Sequence, residues 1–89
     1  MNISIQPANF VTGTATNATY AWISYAPNGS AQADIHLYDD TGKEVGSRVV
    51  DASAEEAATW GDDLDFLAVL AAKVPGVTPL DPPTEWIPE

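Results

Sequence analysis

Between Ala31 and Asp51 the sequence alternates as two neighbouring strands must. Ala33, Ile35 and Leu37 share one face of the run Ala31 to Tyr38, and Gln32, Asp34, His36 and Tyr38 share the other, the period of two of a half-buried strand. Asp39-Asp40-Thr41-Gly42 then leads into a second run, Lys43 to Asp51. A short Asp/Gly loop between two such runs specifies an antiparallel hairpin. In its second strand Val45, Ser47 and Val49 are expected on one face, and Gly46 marks a bulge or a close backbone approach.

The rest of the chain is read around that hairpin. Thr-Tyr-Ala-Trp-Ile-Ser-Tyr-Ala, Thr19 to Ala26, is dense in aromatic and β-branched residues and runs into the turn signal Pro27-Asn28-Gly29-Ser30, so it is expected to be a strand. Ile3-Ser4-Ile5 and Asn9 to Ala15 offer a further strand at an edge, limited by Pro7 and Gly13. Ser53-Ala54-Glu55-Glu56 has the form of a capping box, which starts a helix. That helix is expected to run through Ala57, Ala58 and Trp60, to lean on the sheet through Trp60, and to end at Gly61. Asp62 or Asp63 caps a second helix, in which Leu64, Leu67, Leu70, Ala71 and Val74 recur at helical spacing, with Lys73 in the last turn and Pro75-Gly76 as the stop. Laid on one face of the hairpin, that stripe gives an α+β domain: a small antiparallel sheet, hairpin or meander, packed on two C-terminal helices. From Val77 onward four prolines fall within the twelve residues 78–89, which predicts an extended arm. The expected division is therefore a domain over 1–76 and an arm over 77–89.

Charge narrows the partners. Thirteen acidic residues against three basic ones give a net charge of −10, which opposes binding to phosphate backbones and anionic membrane surfaces. Neither nucleic acid nor membrane is an expected partner. Residues 1–33 contain no Asp, Glu, Lys or Arg. Such a neutral stretch of small polar residues suits contact with other protein, and equally suits turns and edge strands. With no cysteine, disulfides, thiolate metal sites and a cysteine nucleophile are excluded. No apolar run approaches the ~20 residues needed to span a bilayer, and the N-terminus lacks the pattern of a secretion signal, so the chain is expected to be made and kept in the cytoplasm unless it leaves inside something larger.

Catalytic residues, cofactors and metals are not expected. His36 is the only histidine, and no nucleophile or orienting partner stands at a recognised spacing from it. The pairs Asp39-Asp40, Glu55-Glu56 and Asp62-Asp63 are explained by turn and cap chemistry, without the alternating acids and closing glutamate of a calcium loop. Asn17-Ala18-Thr19 and Asn28-Gly29-Ser30 match the glycosylation pattern by accident. Tyr20, Trp22 and Tyr25 suit cross-strand packing; simple alternation puts Tyr20 and Trp22 on one face and Tyr25 on the other, leaving an aromatic patch for a partner or for the arm. The candidate partner-binding residues are Tyr20 and Trp22 on this strand, and Leu80, Trp86 and Ile87 in the arm.

Two segments, Asn9-Phe10-Val11-Thr12-Gly13-Thr14-Ala15-Thr16 and Glu55-Glu56 through Trp60-Gly61-Asp62-Asp63, resemble a group of small virion-associated proteins of tailed bacteriophages. In that group they flank a pair of strands joined by a turn like Asp40-Thr41-Gly42, and the likeness covers about residues 9–72. This chain departs from the group at Ala57, Ala58 and the Pro-rich arm. The resemblance implies a structural or decoration-type protein of the virion, copied many times on a head, neck or tail; it does not imply an activity. Its implied partners are other virion proteins, copies of itself among them. An acidic inhibitor or DNA mimic bound to a host protein is the alternative from another class, drawn from the charge.

Overall fold

A computed structural model describes residues 2–59 and 63–87; the expectations attached to Trp60, Gly61 and Asp62 lie outside these residues. Four strands form one antiparallel sheet in sequence order: β1 (Ile3–Phe10), β2 (Gly13–Tyr25), β3 (Ala31–Tyr38) and β4 (Glu44–Ala52). Two short helices follow, α1 (Ala54–Ala58) and α2 (Asp63–Ala72). The class is α+β, with the sheet a plain meander.

The β3–β4 hairpin forms where alternation places it. Ala31, Ala33, Ile35 and Leu37 are buried and face Ala52, Val50, Arg48 and Gly46 in turn. The turn is tied by Asp39, whose Oδ1 accepts from the Thr41 and Lys43 amides, each at 2.9 Å. Gly42 supplies the positive φ of 88° that closes it. One expectation fails here. Val45, Ser47 and Val49 do not share a face, because the register slips between Leu37 and Tyr38. The slip turns Val45 inward, where it is buried, while Ser47 and Val49 oppose His36 and Asp34 on the exposed face. A bulge inserts one residue and so inverts the alternation on either side of it.

The same device operates in β2. Tyr20 opposes Ile35 and Tyr25 opposes Ala31, with a register shift between Tyr20 and Ile23. Tyr20 and Tyr25 therefore share the inner face, and the expected pairing of Tyr20 with Trp22 on one face is corrected. In β1 the shift falls between Ser4 and Ala8, around Pro7, where a residue without an N–H costs no ladder bond. The segments expected as a further edge strand are thus β1 and the start of β2. Gly13 begins β2 with φ 152°, and a Cβ there would lie 2.9 Å from Val45 Cγ1. Only glycine lets the β1–β2 hairpin approach the inward-turned Val45 so closely.

The capping box is present in full: the Glu56 amide donates to Ser53 Oγ at 3.2 Å and the Ser53 amide to Glu56 Oε1 at 2.9 Å. α1 closes at Ala58, with Thr59 as its C-cap. α2 turns Phe66, Leu67, Leu70 and Ala71 into the core against Ile3, Ile5, Ile35 and Leu37. Lys73 lies one residue past α2 and reaches back to Glu56 Oε1 at 3.0 Å, joining the two helices.

The expected extended arm is not what residues 77–87 form: they bend at Asp81 and Pro82, make only two isolated bridges, at Pro79 and Glu85, and do not stand away from the domain. They run along the outer edge of β1. The Trp86 amide donates to the Asn2 carbonyl, the Ser4 amide to the Thr84 carbonyl and the Gln6 amide to the Thr78 carbonyl, each at 2.8 Å. The physical reason is the edge itself: unpaired β1 donors would otherwise face solvent or other chains. The Asp81–Pro82 peptide is cis.

Candidate interaction surface

α2 covers one face of the sheet, and the other face carries the polar half of β3. The core side of β3 is fully occupied by the α2 stripe. On the open side Thr19, His36 and Ser47 form one row across β2, β3 and β4, and Asn17 and Tyr38 begin the next. Asp34 opposes Val49 on β4, and on β2 it faces the two bulge residues Ala21 and Trp22. Three large side chains on these strands stand in solvent: Trp22 is 43% exposed and Val49 47%, and Tyr25, at the end of β2 on the inner face, is 56% exposed.

The charged centre of this face is a carboxylate–imidazole–carboxylate row. His36 Nε2 lies 2.8 Å from Asp34 Oδ2, and His36 Nδ1 is hydrogen bonded to Glu44 Oε1. Asp34 is two residues away on the same strand and so on the same face; Glu44 is delivered by the hairpin. These bonds, Asp34 first and Glu44 second, hold the imidazole pKa above its usual value despite some desolvation. Both ring nitrogens are occupied, so neither is left to take a proton from the neighbouring Thr19 or Ser47 hydroxyl. The two carboxylates sit on opposite nitrogens of the ring and their oxygens do not converge. Among the described residues no group of three or more His, Cys, Asp or Glu side chains is arranged to hold a metal ion.

The five sequence-derived candidates are dispersed. Trp22 is on the sheet surface, whereas Tyr20 is partly buried against the core. Leu80 is half-buried in the segment beside α2, Trp86 is half-buried beside Asn2, and Ile87 is 75% exposed. The structure does not gather Trp22 with Leu80 into one patch. Sequence reasoning missed Val49, which regular pairing with Asp34 turns outward, and Val11, wholly exposed at the tip of the β1–β2 hairpin. It also missed Asn17, fully buried, whose side chain accepts from Asn2 Nδ2 at 2.8 Å and donates to the Asp39 carbonyl at 3.2 Å. An asparagine so enclosed belongs to the scaffold, tying β1, β2 and the β3–β4 turn.

Among the described residues no helix is long and apolar enough to cross a membrane. No family model matches the chain, and no curated protein or solved structure matches it.

Proposed function

We propose that the chain is a non-enzymatic structural component of a bacteriophage particle, a decoration, neck or tail-associated protein that works through protein–protein contacts. The observation that carries this reading is the open sheet face. Its histidine is spent on holding β3 to the start of β4, while Trp22 and Val49 stand exposed on strands flanking it. An aromatic anchor bordered by polar groups is the composition of an interface core and rim. In this reading the helices back the sheet, the Pro-rich segment seals the β1 edge, and Ile87 at its end is left for a neighbouring virion protein. The phage assignment is supported by the likeness of residues 9–16 and 55–63 to virion-associated proteins, and by a charge-free first third suited to packing against other subunits.

The test is quantitative mass spectrometry of gradient-purified particles from the lysate that produces this chain, beside light scattering of the isolated protein. Many copies per particle are expected, reduced at least about tenfold by Trp22→Ser, a truncation of the size that interface anchors show. A chain absent from particles that instead captures a basic host protein in a salt-sensitive way would overturn the reading in favour of an acidic inhibitor.

A further inference from the structure

The sheet has two edges, and the terminal segment closes only the one at β1. At the other edge β4 has β3 as its ladder partner. Among the described residues its outer side is engaged only at the Val45 carbonyl, which accepts from the Thr12 hydroxyl. Backbone bonding alternates from side to side along an antiparallel strand, and the turns at both ends of β3 fix its phase. The Ala26 amide donates to the Ser30 carbonyl and the Asp39 amide to the Lys43 carbonyl, each at 2.9 Å. Counted from either turn, the odd-numbered residues of β3 bond to β4. Their partners Ala52, Val50, Arg48 and Gly46 are therefore occupied, and Ser47, Val49 and Asp51 turn their amides and carbonyls outward. All three are exposed. This stretch pairs with β3 in unbroken register and contains no proline, so it lacks two of the devices that blunt an edge.

We infer that β4 pairs antiparallel with β4 of a second copy, about a two-fold axis through Val49, so that two copies share one continuous sheet. The outward residues are symmetric about Val49, and each finds its complement in an identical strand. Val49 exchanges bonds with the second copy's Val49, and Ser47 with the second copy's Asp51. An axis normal to the sheet keeps both open faces on one side, where the exposed Val49 side chains meet as a cross-strand apolar pair. The Ser47 hydroxyl faces the second copy's Asp51 carboxylate, and the two Asp51 residues lie at opposite ends of the contact. On the other face Arg48 stands opposite the second copy's Val50. That is the face on which Ala57 of α1 packs, and the first turn of α1 carries Glu55, a carboxylate on the side that receives the guanidinium. The neighbouring registers are worse: a shift one way opposes Arg48 to Arg48, and a shift the other way sets Val49 against Asp51. The charge of −10 on each copy opposes the contact, and salt screens that repulsion. The contact leaves Trp22 uncovered and does not rest on the particle reading.

The test is the mass of the full-length protein by sedimentation equilibrium across a concentration series at two salt concentrations. An edge contact belongs to the small, weak class of interfaces. The mass is therefore expected to rise from one chain to two between about 10 µM and about 1 mM protein in about 0.5 M sodium chloride. In about 0.01 M salt the dissociation constant is expected to be at least about threefold weaker. Val49→Pro removes an outward donor and no bond to β3, and Val49→Lys sets like charges face to face. Each is expected to weaken pairing about threefold or more while the far-UV spectrum of the monomer is kept. Register is read by cysteine, in a chain that has none. Oxidised with diamide, Val49→Cys is expected to form a disulfide dimer at least about tenfold faster than Ser47→Cys, whose two copies lie on either side of the axis. A mass that stays at one chain at about 1 mM, or that passes two without levelling, overturns the proposal. So does association that survives both Val49 variants, or Ser47→Cys linking as fast as Val49→Cys.

Discussion

His36 is the residue whose protonation the structure makes consequential. A charged imidazolium can donate from both nitrogens, to Asp34 and to Glu44, whereas the neutral ring can donate from only one. The groups facing it from the packed strands, Thr19 on β2 and Ser47 on β4, are uncharged. Because its folded pKa is raised above the ordinary 6.5, its stabilisation is fully present below that value and is lost as pH rises through the folded pKa. Melting temperature is therefore expected to fall between about pH 6 and 8 more steeply in the wild type than in His36→Gln. The ceiling is about 1 kcal/mol for so accessible a cluster, or about 4–8 °C for a domain of this size. Identical pH profiles for the two proteins would remove the cluster from the stability argument. Half of this arrangement was legible beforehand: alternation puts Asp34 and His36 on one face, but Glu44 joins them across the turn only through the β4 register slip, which no local pattern announces. The Ser53 capping box, by contrast, is wholly local, and it forms as read.

At the scale of elements, the Pro-rich segment shows how far composition reaches. The prolines argue against a helix or a central strand, and the segment, residues 77–87, forms neither. Its destination was hidden, because β1 is interrupted by Pro7 and its pairing with residues 78–86 is separated by some seventy positions in the chain. Contacts so distant leave no periodicity to read. Truncation after Gly76 removes three backbone bonds to β1 and Val77, which is buried in the core. At about 1 kcal/mol per hydrogen bond the loss is about 3 kcal/mol, a large share of a small domain's stability. The truncated chain is expected to unfold at lower urea and to self-associate through the bared β1 edge, whose Ile3 and Ile5 are now covered. An unchanged midpoint would mean that the segment merely rests there.

For the whole molecule, the meander and the sheet-on-helix arrangement followed from strong local signals: two alternating runs, one turn and one helical stripe. What escaped was the effect of the one-residue register shifts in β2 and β4, each of which reverses the inward and outward sides of part of its strand and so redistributes Tyr25 and Val45. The uneven charge has a global consequence. The molecule measures 37 × 24 × 18 Å, and the Debye length is about 30 Å at 0.01 M salt but about 10 Å at 0.1 M. Acids across the whole body therefore repel one another in dilute buffer and largely cease to in ordinary salt. Melting temperature is expected to rise as sodium chloride goes from about 0.01 to about 0.5 M, and a fall would mean that pairs such as Lys73–Glu56 outweigh the repulsion. The clasp between Asn2 and Trp86 also decides how the molecule answers force. Because β1 and the terminal segment run antiparallel with these residues side by side, tension applied there opens the bonds at Trp86, Thr84 and Thr78 one after another, as a zip opens. Tension entering through the hairpin tips meets the β2–β3 and β3–β4 ladders in shear, many bonds at once, so the molecule is mechanically soft along one line and stiff along another.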